Sequence, residues 1–220
     1  MADNQALLKN VPIFTDLDEK SVEMVLSRAR VQTYRKNTIL MSEGDSGECM
    51  YVIQSGSVKI YVSDEDGNEV ILFIEGPGSY LGEISLLDDA PRTASAVTLE
   101  KTQVLLISKQ AFLECIELNP EMAFTIIRSM TQRLRRATDN IRSLALKNVY
   151  QRLALKLIEL SVEENGERFV PRKVSQQELA NMIGASREMV GKLLAELTKG
   201  EYIAAREHKI HLLKALPHNW

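Results

Sequence analysis

The hydrophobic spacing of this chain changes once along its length, and that change limits the folds open to it. Between residues 31 and 107 the apolar residues form short alternating or β-branched runs, which Gly-containing turn signals separate. Many short strands at this spacing are typical of a jelly-roll or β-roll barrel. Ahead of them, Val22, Val25 and Leu26 lie at helical spacing and predict a short amphipathic helix over 18–29.

The helical period that follows begins near Ala111 and predicts one long helix. Apolar residues recur there at steps of three or four, which brings them to one face: Met122, Ile126, Met130, Leu134, Ala137, Ile141 and Leu144. The later steps approach a coiled-coil heptad. This face is either the seam of a homodimer or a surface buried on the barrel of the same chain, and its length favours the dimer. The arginines beside the seam are expected on its solvated faces: Arg133, Arg135, Arg136 and Arg142.

The C-terminal part predicts one more helix and then a pair of short helices. The first opens at Val149 and is expected to end near Asn165-Gly166. Ser175 and Glu178 have the spacing of a capping box, which starts the next helix. A tight break at 184–185 then separates it from the last helix of the chain.

That last predicted helix completes a helix-turn-helix, a motif whose second helix enters the DNA major groove. Ser186 caps it and Gly200 ends it as a left-handed C-cap, and residues 202–203 and 209–213 then predict a small β wing. Its outward residues include Arg187, which can fork onto guanine, and Glu188, which can accept from cytosine. Two others lie beside them, Gly191 and Lys192. The alternative is that these are ordinary solvated helix residues.

One stretch, residues 82–96, combines groups that suit a small cyclic anion; it reads G-E-I-S-L-L-D-D-A-P-R-T-A-S-A. Gly82 lets backbone approach a ligand because it has no Cβ. Glu83 can only accept hydrogen bonds, which suits a sugar hydroxyl. Arg92 presents a permanently charged fork that matches two phosphate oxygens, and Thr93 adds a hydroxyl beside it. The plain alternative is an exposed Glu83–Arg92 ion pair on a barrel surface.

Charge and cysteine usage bear on partners and compartment. The net charge is −3, but from Leu146 onward 12 Lys and Arg stand against 9 Asp and Glu, which leaves the preceding part at −6. This asymmetry gives modest support to a polyanionic partner at the C-terminal end. Cys49 and Cys115 have no paired spacing and suit a reducing cytosol. Residues 1–10 lack a signal-peptide pattern and no apolar run approaches the ~18 residues that span a bilayer, so we expect a cytoplasmic protein with no membrane partner.

Taken together, these features resemble the cyclic-AMP receptor protein family of bacterial transcription regulators over nearly the whole chain. The motifs that carry the resemblance are G-E-I-S-L at 82–86, P-R-T-A at 91–94 and S-R-E-M-V-G-K at 186–192. The resemblance implies an α+β fold with an N-terminal β-roll (jelly-roll-like) cyclic-nucleotide-binding domain, a long dimerisation helix and a C-terminal winged helix-turn-helix domain. The implied domain bounds are 1–110, 111–145 and 146–220.

The resemblance also implies a function and a set of site residues. The chain would bind cAMP and then a palindromic double-stranded DNA operator as a homodimer, with RNA polymerase as a further partner and no catalytic or metal site. Glu83 would hold the ribose 2′-hydroxyl, Arg92 and Thr93 the cyclic phosphate, and Thr138 would reach the base across the dimer. The implied ligand-binding set is Gly82, Glu83, Ile84, Arg92, Thr93 and Thr138, and the implied DNA-binding set is Ser175, Gln176, Ser186, Arg187, Glu188 and Lys192.

Three positions depart from the pattern of that family. Thr93 stands in place of a serine, and in eukaryotic cyclic-nucleotide domains a threonine there is associated with better acceptance of cGMP. Lys192 replaces an arginine, so a bidentate base contact becomes a point charge. Gln176 replaces a phosphate-contacting arginine, which should lessen the salt dependence of DNA binding by about one unit of slope per subunit.

Several alternatives stay open at this point. One is the same scaffold responding to cGMP, to cyclic di-GMP or to no ligand, and another is a nucleotide-binding regulatory module without DNA function. A metal-dependent jelly-roll enzyme would need His and carboxylate ligands in the barrel, whereas the three histidines, His208, His211 and His218, all lie near the C-terminus. An iron–sulfur sensor would require four cysteines. A haem sensor would not explain the stretch over 82–96.

Overall fold

A computed structural model describes residues 8–15, 17–206 and 209–217 of the chain. They divide into two compact units, one made of residues 1–64 and 72–135 and the other of residues 65–71 and 136–220. The expectations for His208 and His218 fall outside the described residues. Within those residues, no helix is both long and apolar enough to cross a membrane.

Eight short strands form the β-roll that the sequence predicts. They pair in two four-stranded sheets, in the orders β1-β8-β3-β6 and β2-β7-β4-β5, and β3 runs antiparallel to both of its neighbours. The strands are β1 (Arg30–Tyr34), β2 (Ile39–Met41), β3 (Cys49–Ser55), β4 (Val58–Ser63), β5 (Glu69–Glu75), β6 (Tyr80–Leu81), β7 (Ser95–Thr98) and β8 (Thr102–Ser108).

Strand β3 is the centre of the first unit because both of its faces are buried. Met50 and Val52 belong to a core that the strand shares with helices, whereas Tyr51 and Ile53 belong to a second core that also takes residues from β4 and β7. A strand covered on both faces needs no polar alternation. This accounts for the unbroken Met-Tyr-Val-Ile run in the sequence.

Three helices pack on or near the first core. The predicted helix over 18–29 is confirmed as α1 (Glu19–Arg28), and the Asp18 side chain accepts a hydrogen bond from the Ser21 N–H at its start. The others are α2 (Ile84–Leu87) and α3 (Lys109–Leu118). Phe112 of α3 meets Phe14 edge to face, with ring centroids 6.5 Å apart.

The long predicted helix is confirmed from Glu121 onward as α4 (Glu121–Leu146), whereas Ala111, near which it was expected to begin, belongs to the separate helix α3. The apolar face of α4 is buried to different extents along its length. Met122 and Ile126 are buried in the first core and Met130 packs against it. Leu134 and Ile141, by contrast, are 68% and 67% exposed in the single chain. Burial on the same chain therefore explains only the first half of the face and leaves the second half apolar and uncovered.

The second unit carries the predicted helix-turn-helix together with a four-stranded sheet. Its helices are α5 (Val149–Leu160), α6 (Gln176–Ile183) and α7 (Arg187–Lys199). Its strands are β9 (Val162–Glu164), β10 (Glu167–Val170), β11 (Ile203–Arg206) and β12 (Lys209–Leu212), in the order β11-β12-β10-β9. One core joins the three helices to this sheet through fully buried side chains: Leu153, Leu157, Leu179, Val190 and Leu197.

Two predictions for this unit are wrong. Helix α5 ends at Leu160 and not near Asn165-Gly166, because Asn165 (φ 54°) and Gly166 (φ 80°) form the turn of the β9–β10 hairpin. Two consecutive positive φ values match the tight hairpin turn that an Asn-Gly pair favours. The predicted wing consequently gains two strands.

The second wrong prediction concerns Gly200, which does not adopt a left-handed cap. Its φ is −79°, and Glu201 takes the positive φ instead. A Cβ at position 200 would lie 2.9 Å from the Tyr202 ring, so close packing and not backbone handedness requires glycine there. Gly184 is the left-handed C-cap, at the end of α6 (φ 60°).

The predicted capping box at the start of α6 is half present. The Ser175 hydroxyl accepts a hydrogen bond from the Glu178 N–H at 3.1 Å. The Glu178 carboxylate lies 2.7 Å from the Arg172 guanidinium instead of returning to the Ser175 backbone, because an ion pair is available to it. A complete capping box occurs at the start of α5, between Asn148 and Gln151.

We predict that Gly56→Ala lowers the free energy of unfolding by about 2 kcal/mol or more, since a left-handed non-glycine residue alone costs roughly 1–2 kcal/mol. Gly56 has a φ of +87°, and a Cβ there would lie 2.7 Å from the Lys101 carbonyl oxygen. Urea denaturation measures the change. The matched control is Gly76→Ala, where a Cβ meets nothing within 4 Å. Equal stabilities for the two variants would contradict this account of the β3–β4 turn.

Candidate functional site

The stretch over 82–96 joins strand β6 to strand β7 and folds around the side chain of Arg92. Helix α2 occupies its first part, and β7 begins at Ser95. Gly82 has a φ of +86°, and a Cβ there would lie 2.6 Å from Arg92 Nη1. Glycine is therefore required at this position both for its backbone conformation and for the approach of the guanidinium.

Arg92 is a buried cation held by neutral oxygens. Its side chain belongs to a residue only 5% exposed. Nη1 donates to the Gly82 carbonyl at 2.6 Å and to Ser85 Oγ at 2.9 Å, while Nη2 donates to the Cys49 carbonyl at 2.6 Å. Among the described residues no carboxylate forms an ion pair with Arg92. The exposed Glu83–Arg92 pair that was the plain alternative is therefore absent from this part of the chain.

Two residues that the sequence did not single out shape the surroundings of Arg92. Ser85, on α2, is buried and supplies the hydroxyl that accepts from Nη1. Gly47 lies against it, since a Cβ at position 47 would overlap the Ser85 hydroxyl and come 3.4 Å from Arg92 Cζ. Only the tertiary structure reveals the contact of Gly47 with Ser85 and Arg92, because position 47 lies far from both in the sequence.

Glu83 is buried, at 1% exposure, and is paired with a different arginine. Its Oε1 lies 3.0 Å from Arg133 Nη1, yet neither carboxylate oxygen accepts a well-aligned hydrogen bond from a described residue. Burial raises the pKa of Glu83 above its usual value of 4.5, and the Arg133 charge opposes that shift. The site therefore contains a buried acceptor with capacity for a further donor.

Arg133 does not lie on a solvated face as the sequence suggested. Besides the ion pair with Glu83, its Nη2 donates to the Tyr80 carbonyl at 2.9 Å. Its guanidinium carbon lies 4.7 Å from the centroid of the Tyr80 ring. The Tyr80 hydroxyl in turn forms a hydrogen bond with Ser129, one turn before Arg133 on α4. Spacing along the helix could not have identified these partners, since they belong to strand β6 and the turn after it.

The other predicted ligand-binding residues occupy different environments. Ile84 is half-buried at the first position of α2. Thr93 is exposed, directly after the buried Arg92. Thr138 is exposed on α4 and belongs to the second unit. Around Arg92 the structure thus assembles Gly82, Ser85 and Gly47, whereas Arg133 pairs with Glu83.

The predicted DNA-binding residues lie at the starts of α6 and α7. Ser175 and Ser186 are the N-caps of the two helices, and Gln176 is the first residue of α6. A Cβ at Gly191 of α7 would lie 3.2 Å from Gln176 Oε1, so the Gln176 amide fills the space that this glycine leaves. Gln176 is thereby held against the second helix of the motif.

The outward face of α7 is polar and exposed, as the sequence predicts. Arg187, Glu188 and Lys192 are exposed, and so is the apolar Met189, which lies outside the predicted DNA-binding set. A hydrogen bond from its own backbone N–H, supported by Ser186 and by the charges of its basic neighbours, lowers the pKa of Glu188. Glu188 is consequently an acceptor at neutral pH.

The described residues hold no group of three or more side chains that could bind a metal ion. His211 lies in β12, where it stacks on Phe169 and approaches Glu167 at 3.4 Å. Cys115 is a core residue, and Cys49 is half-buried at the start of β3.

Two family models match the chain, and each covers one of the sites described above. A cyclic nucleotide-binding domain matches residues 31–119, which include Glu83 and Arg92. A Crp-like helix-turn-helix domain matches residues 151–216, which include α6 and α7.

Similar proteins share this arrangement over most of their length. A CRP-like cAMP-activated global transcriptional regulator of Mycobacterium tuberculosis is 31% identical over 201 residues, 90% of each chain. The cyclic AMP receptor protein of Thermus thermophilus is 31% identical over 192 residues, 87% of this chain and 88% of that protein. The solved structure of the c-di-GMP-responsive global regulator CLP of Xanthomonas campestris is 27% identical with a TM-score of 0.77, over 90% of this chain and 100% of that one. The chain therefore belongs to the CRP family of cyclic-nucleotide-binding transcription regulators.

Proposed function

We propose that this regulator binds a cyclic mononucleotide, cAMP in the first place, through Arg92, and that binding promotes recognition of a near-palindromic operator by a homodimer. The observation that carries the proposal is the burial of the Arg92 guanidinium without a carboxylate partner among the described residues. A buried charge is costly unless it is paired. A singly charged ring phosphate would supply the missing opposite charge.

The hydrogen-bonding capacity of Arg92 supports the same assignment. Three of the five guanidinium N–H groups donate to protein oxygens within the described residues, which leaves two for an external anion. Thr93 would add its hydroxyl to the same phosphate. Gly82 and Ile84 flank the buried carboxylate that faces the sugar.

Glu83 is the proposed partner of the ribose 2′-hydroxyl. Its carboxylate is buried, and its oxygens lack well-aligned hydrogen bonds from described residues. A sugar hydroxyl donates to such an oxygen, whereas a phosphate would be repelled by it. The two buried groups thus divide the ligand between them, the arginine taking its anion and the carboxylate its hydroxyl.

Relatives support cAMP without deciding the base. The two bacterial relatives at 31% identity bear names that specify cAMP. The Xanthomonas regulator is named for c-di-GMP, and Thr93 leaves cGMP open as well. Thr138 is the residue we assign to the base.

Calorimetric titration with cAMP, cGMP and cyclic di-GMP tests which nucleotide is the ligand. Heat of binding from none of the three would indicate a regulator that works without such a ligand.

For the operator, the proposal rests on the polar face of α7 and the N-caps before it. Arg187 and Glu188 would read base edges, and Lys192 would add a point charge. Ser175, Gln176 and Ser186 would contact the phosphates. In a dimer the two recognition helices would enter successive major grooves, ~34 Å apart. RNA polymerase stays a prediction of the family resemblance.

A second copy of this chain is the proposed cover for the exposed part of α4. Leu134, Ile141 and Leu144 are each at least half exposed and lie on one face of the helix. An apolar stripe of this kind is the pattern of a coiled-coil seam. The nucleotide can act on such a dimer only by binding the DNA-competent state more tightly than the other state.

We predict that Arg92→Ala weakens cAMP binding at least about 100-fold, because hydrogen bonds from a charged group contribute roughly 1.5–3 kcal/mol each. Arg92→Lys keeps the charge but loses the fork, so it should lie between Ala and wild type. Isothermal titration calorimetry measures the affinities, and circular dichroism checks folding. Arg30→Ala, at an exposed barrel arginine, is the matched control. Unchanged affinity in both Arg92 variants would remove the phosphate assignment.

We predict that Glu188→Ala relaxes the sequence preference at one base pair of each half-site by roughly tenfold, since a good side-chain contact to a base edge is worth about that discrimination. Selection of binding sites from a random DNA library measures the preference. Glu196→Ala, an exposed carboxylate near the other end of α7, should leave the profile as it is. If the two variants select the same sites as wild type, Glu188 does not read the operator.

We predict that Ile141→Glu converts the dimer to monomers at micromolar concentration, because it introduces two like charges into a seam that is otherwise apolar. Sedimentation velocity measures the mass. Leu155→Glu is the control, since Leu155 is also an exposed apolar residue (48%) but lies on α5 outside the seam. A mass that responds equally to both substitutions, or to neither, would argue against this seam.

A further inference from the structure

Tyr80 contacts one turn of α4 at two points, once through its side chain and once through its backbone. At one point its hydroxyl forms a hydrogen bond with Ser129. At the other point its carbonyl accepts a hydrogen bond from Arg133 Nη2 at 2.9 Å. Ser129 and Arg133 are four residues apart and therefore share one face of the helix. Tyr80 thus spans that turn and fixes where strand β6 meets it.

The same turn of α4 supplies the cation that faces Glu83. Arg133 Nη1 lies 3.0 Å from Glu83 Oε1, and its guanidinium carbon lies 4.7 Å from the Tyr80 ring centroid. The position of Arg133 relative to Glu83 therefore depends on how Tyr80 seats the helix. Tyr80 is 3% exposed, so its hydroxyl has no solvent to replace the serine if that bond is lost.

We propose that Tyr80 and Ser129 are positioning residues of the nucleotide pocket, which set the register of α4 against Glu83 through their mutual hydrogen bond. The proposal rests on the proposed function of Glu83 as the partner of the sugar. When a ribose hydroxyl donates a hydrogen bond to Glu83, the carboxylate divides its interactions between that hydroxyl and Arg133. Because the Tyr80–Ser129 hydrogen bond holds α4 against strand β6, a weakened Glu83–Arg133 ion pair changes the position of α4 and not only that of the Arg133 side chain.

The hydrogen bond between Tyr80 and Ser129 is separable from the pocket itself. Neither hydroxyl contacts Arg92 in the described structure, and Tyr80→Phe keeps the ring beneath Arg133 as well as the backbone carbonyl that accepts from it. Ser129→Ala removes the same bond from the helix side. Each substitution deletes one hydroxyl and leaves the proposed contacts to the phosphate in place, so nucleotide binding persists while its effect on α4 changes.

The test measures the ratio of operator affinity with saturating cAMP to operator affinity without it, using the full-length protein and fluorescence anisotropy. We expect Tyr80→Phe and Ser129→Ala each to lower this ratio about fivefold, the effect of one hydrogen bond. The double variant should lose no more than either single variant, because both remove the same bond. Calorimetry should still detect cAMP binding to all three variants.

Two control variants separate positioning from simple loss of stability. Tyr51→Phe removes a comparable buried hydroxyl, which donates to the Leu40 carbonyl at 2.7 Å, and it should lower the melting temperature without changing the ratio. Thr131→Ala removes a hydroxyl from α4 that donates only within the helix, to Ile127, and it should leave the ratio unchanged.

Each remaining outcome overturns the proposal, and the outcomes are distinguishable. Suppose that cAMP binds the wild-type protein and raises its operator affinity, and that both hydroxyl variants have an affinity ratio within twofold of the wild-type ratio. The positioning role is then wrong and the proposed function stands. If Tyr80→Phe lowers the ratio and Ser129→Ala does not, Tyr80 acts through a contact other than Ser129. If wild type binds none of the cyclic nucleotides, the proposed function fails and this inference fails with it.

Discussion

The N-terminal unit of this regulator is built around a buried guanidinium whose hydrogen-bond partners among the described residues are all neutral. Arg92 donates hydrogen bonds to two carbonyls and one hydroxyl. The chain adopts a positive φ at Gly82, where the absence of a Cβ lets the guanidinium approach the backbone. Neutral dipoles solvate a charge but do not cancel it. The folded unit therefore retains a buried positive charge, and the anion that we propose as ligand would neutralise it.

Helix α4 links this chemistry to the rest of the molecule because three different surfaces share one segment. Its first turns are part of the hydrophobic core, its middle carries the arginine that faces Glu83, and its last turns expose an apolar face. A change at this helix would therefore bear on more than one of these surfaces. Such sharing is an economical way for events at one side chain to affect distant residues, provided that two arrangements of the helix exist.

Much of this architecture could be predicted from the sequence, because period and turn chemistry are local properties. The strands, the long helix and the helix-turn-helix all follow from spacing that a single segment contains. The failures are instructive in the same terms. The sequence predicts a helix end at Asn165-Gly166 and not the hairpin turn found there, since the short strands beside it are too polar to show a strand pattern. The sequence predicts a left-handed cap at Gly200, whereas the closeness of the Tyr202 ring is what favours glycine at that position. The partners of Glu83 and Arg92 could not be predicted at all, because Arg133, Ser85 and Gly47 reach them only through tertiary folding.

The different burial of the two cysteines has a practical consequence. Cys115 lies in the hydrophobic core, and burial raises the pKa of its thiol to about 11, so it stays protonated and unreactive. Cys49 is only half-buried, and its backbone carbonyl is one of the oxygens that hold Arg92. Of the two cysteines, Cys49 is therefore the more accessible to a thiol-reactive dye, and it is the one whose backbone holds Arg92. A dye attached at Cys49 would report on the surroundings of Arg92, and so on the anion that we propose binds there.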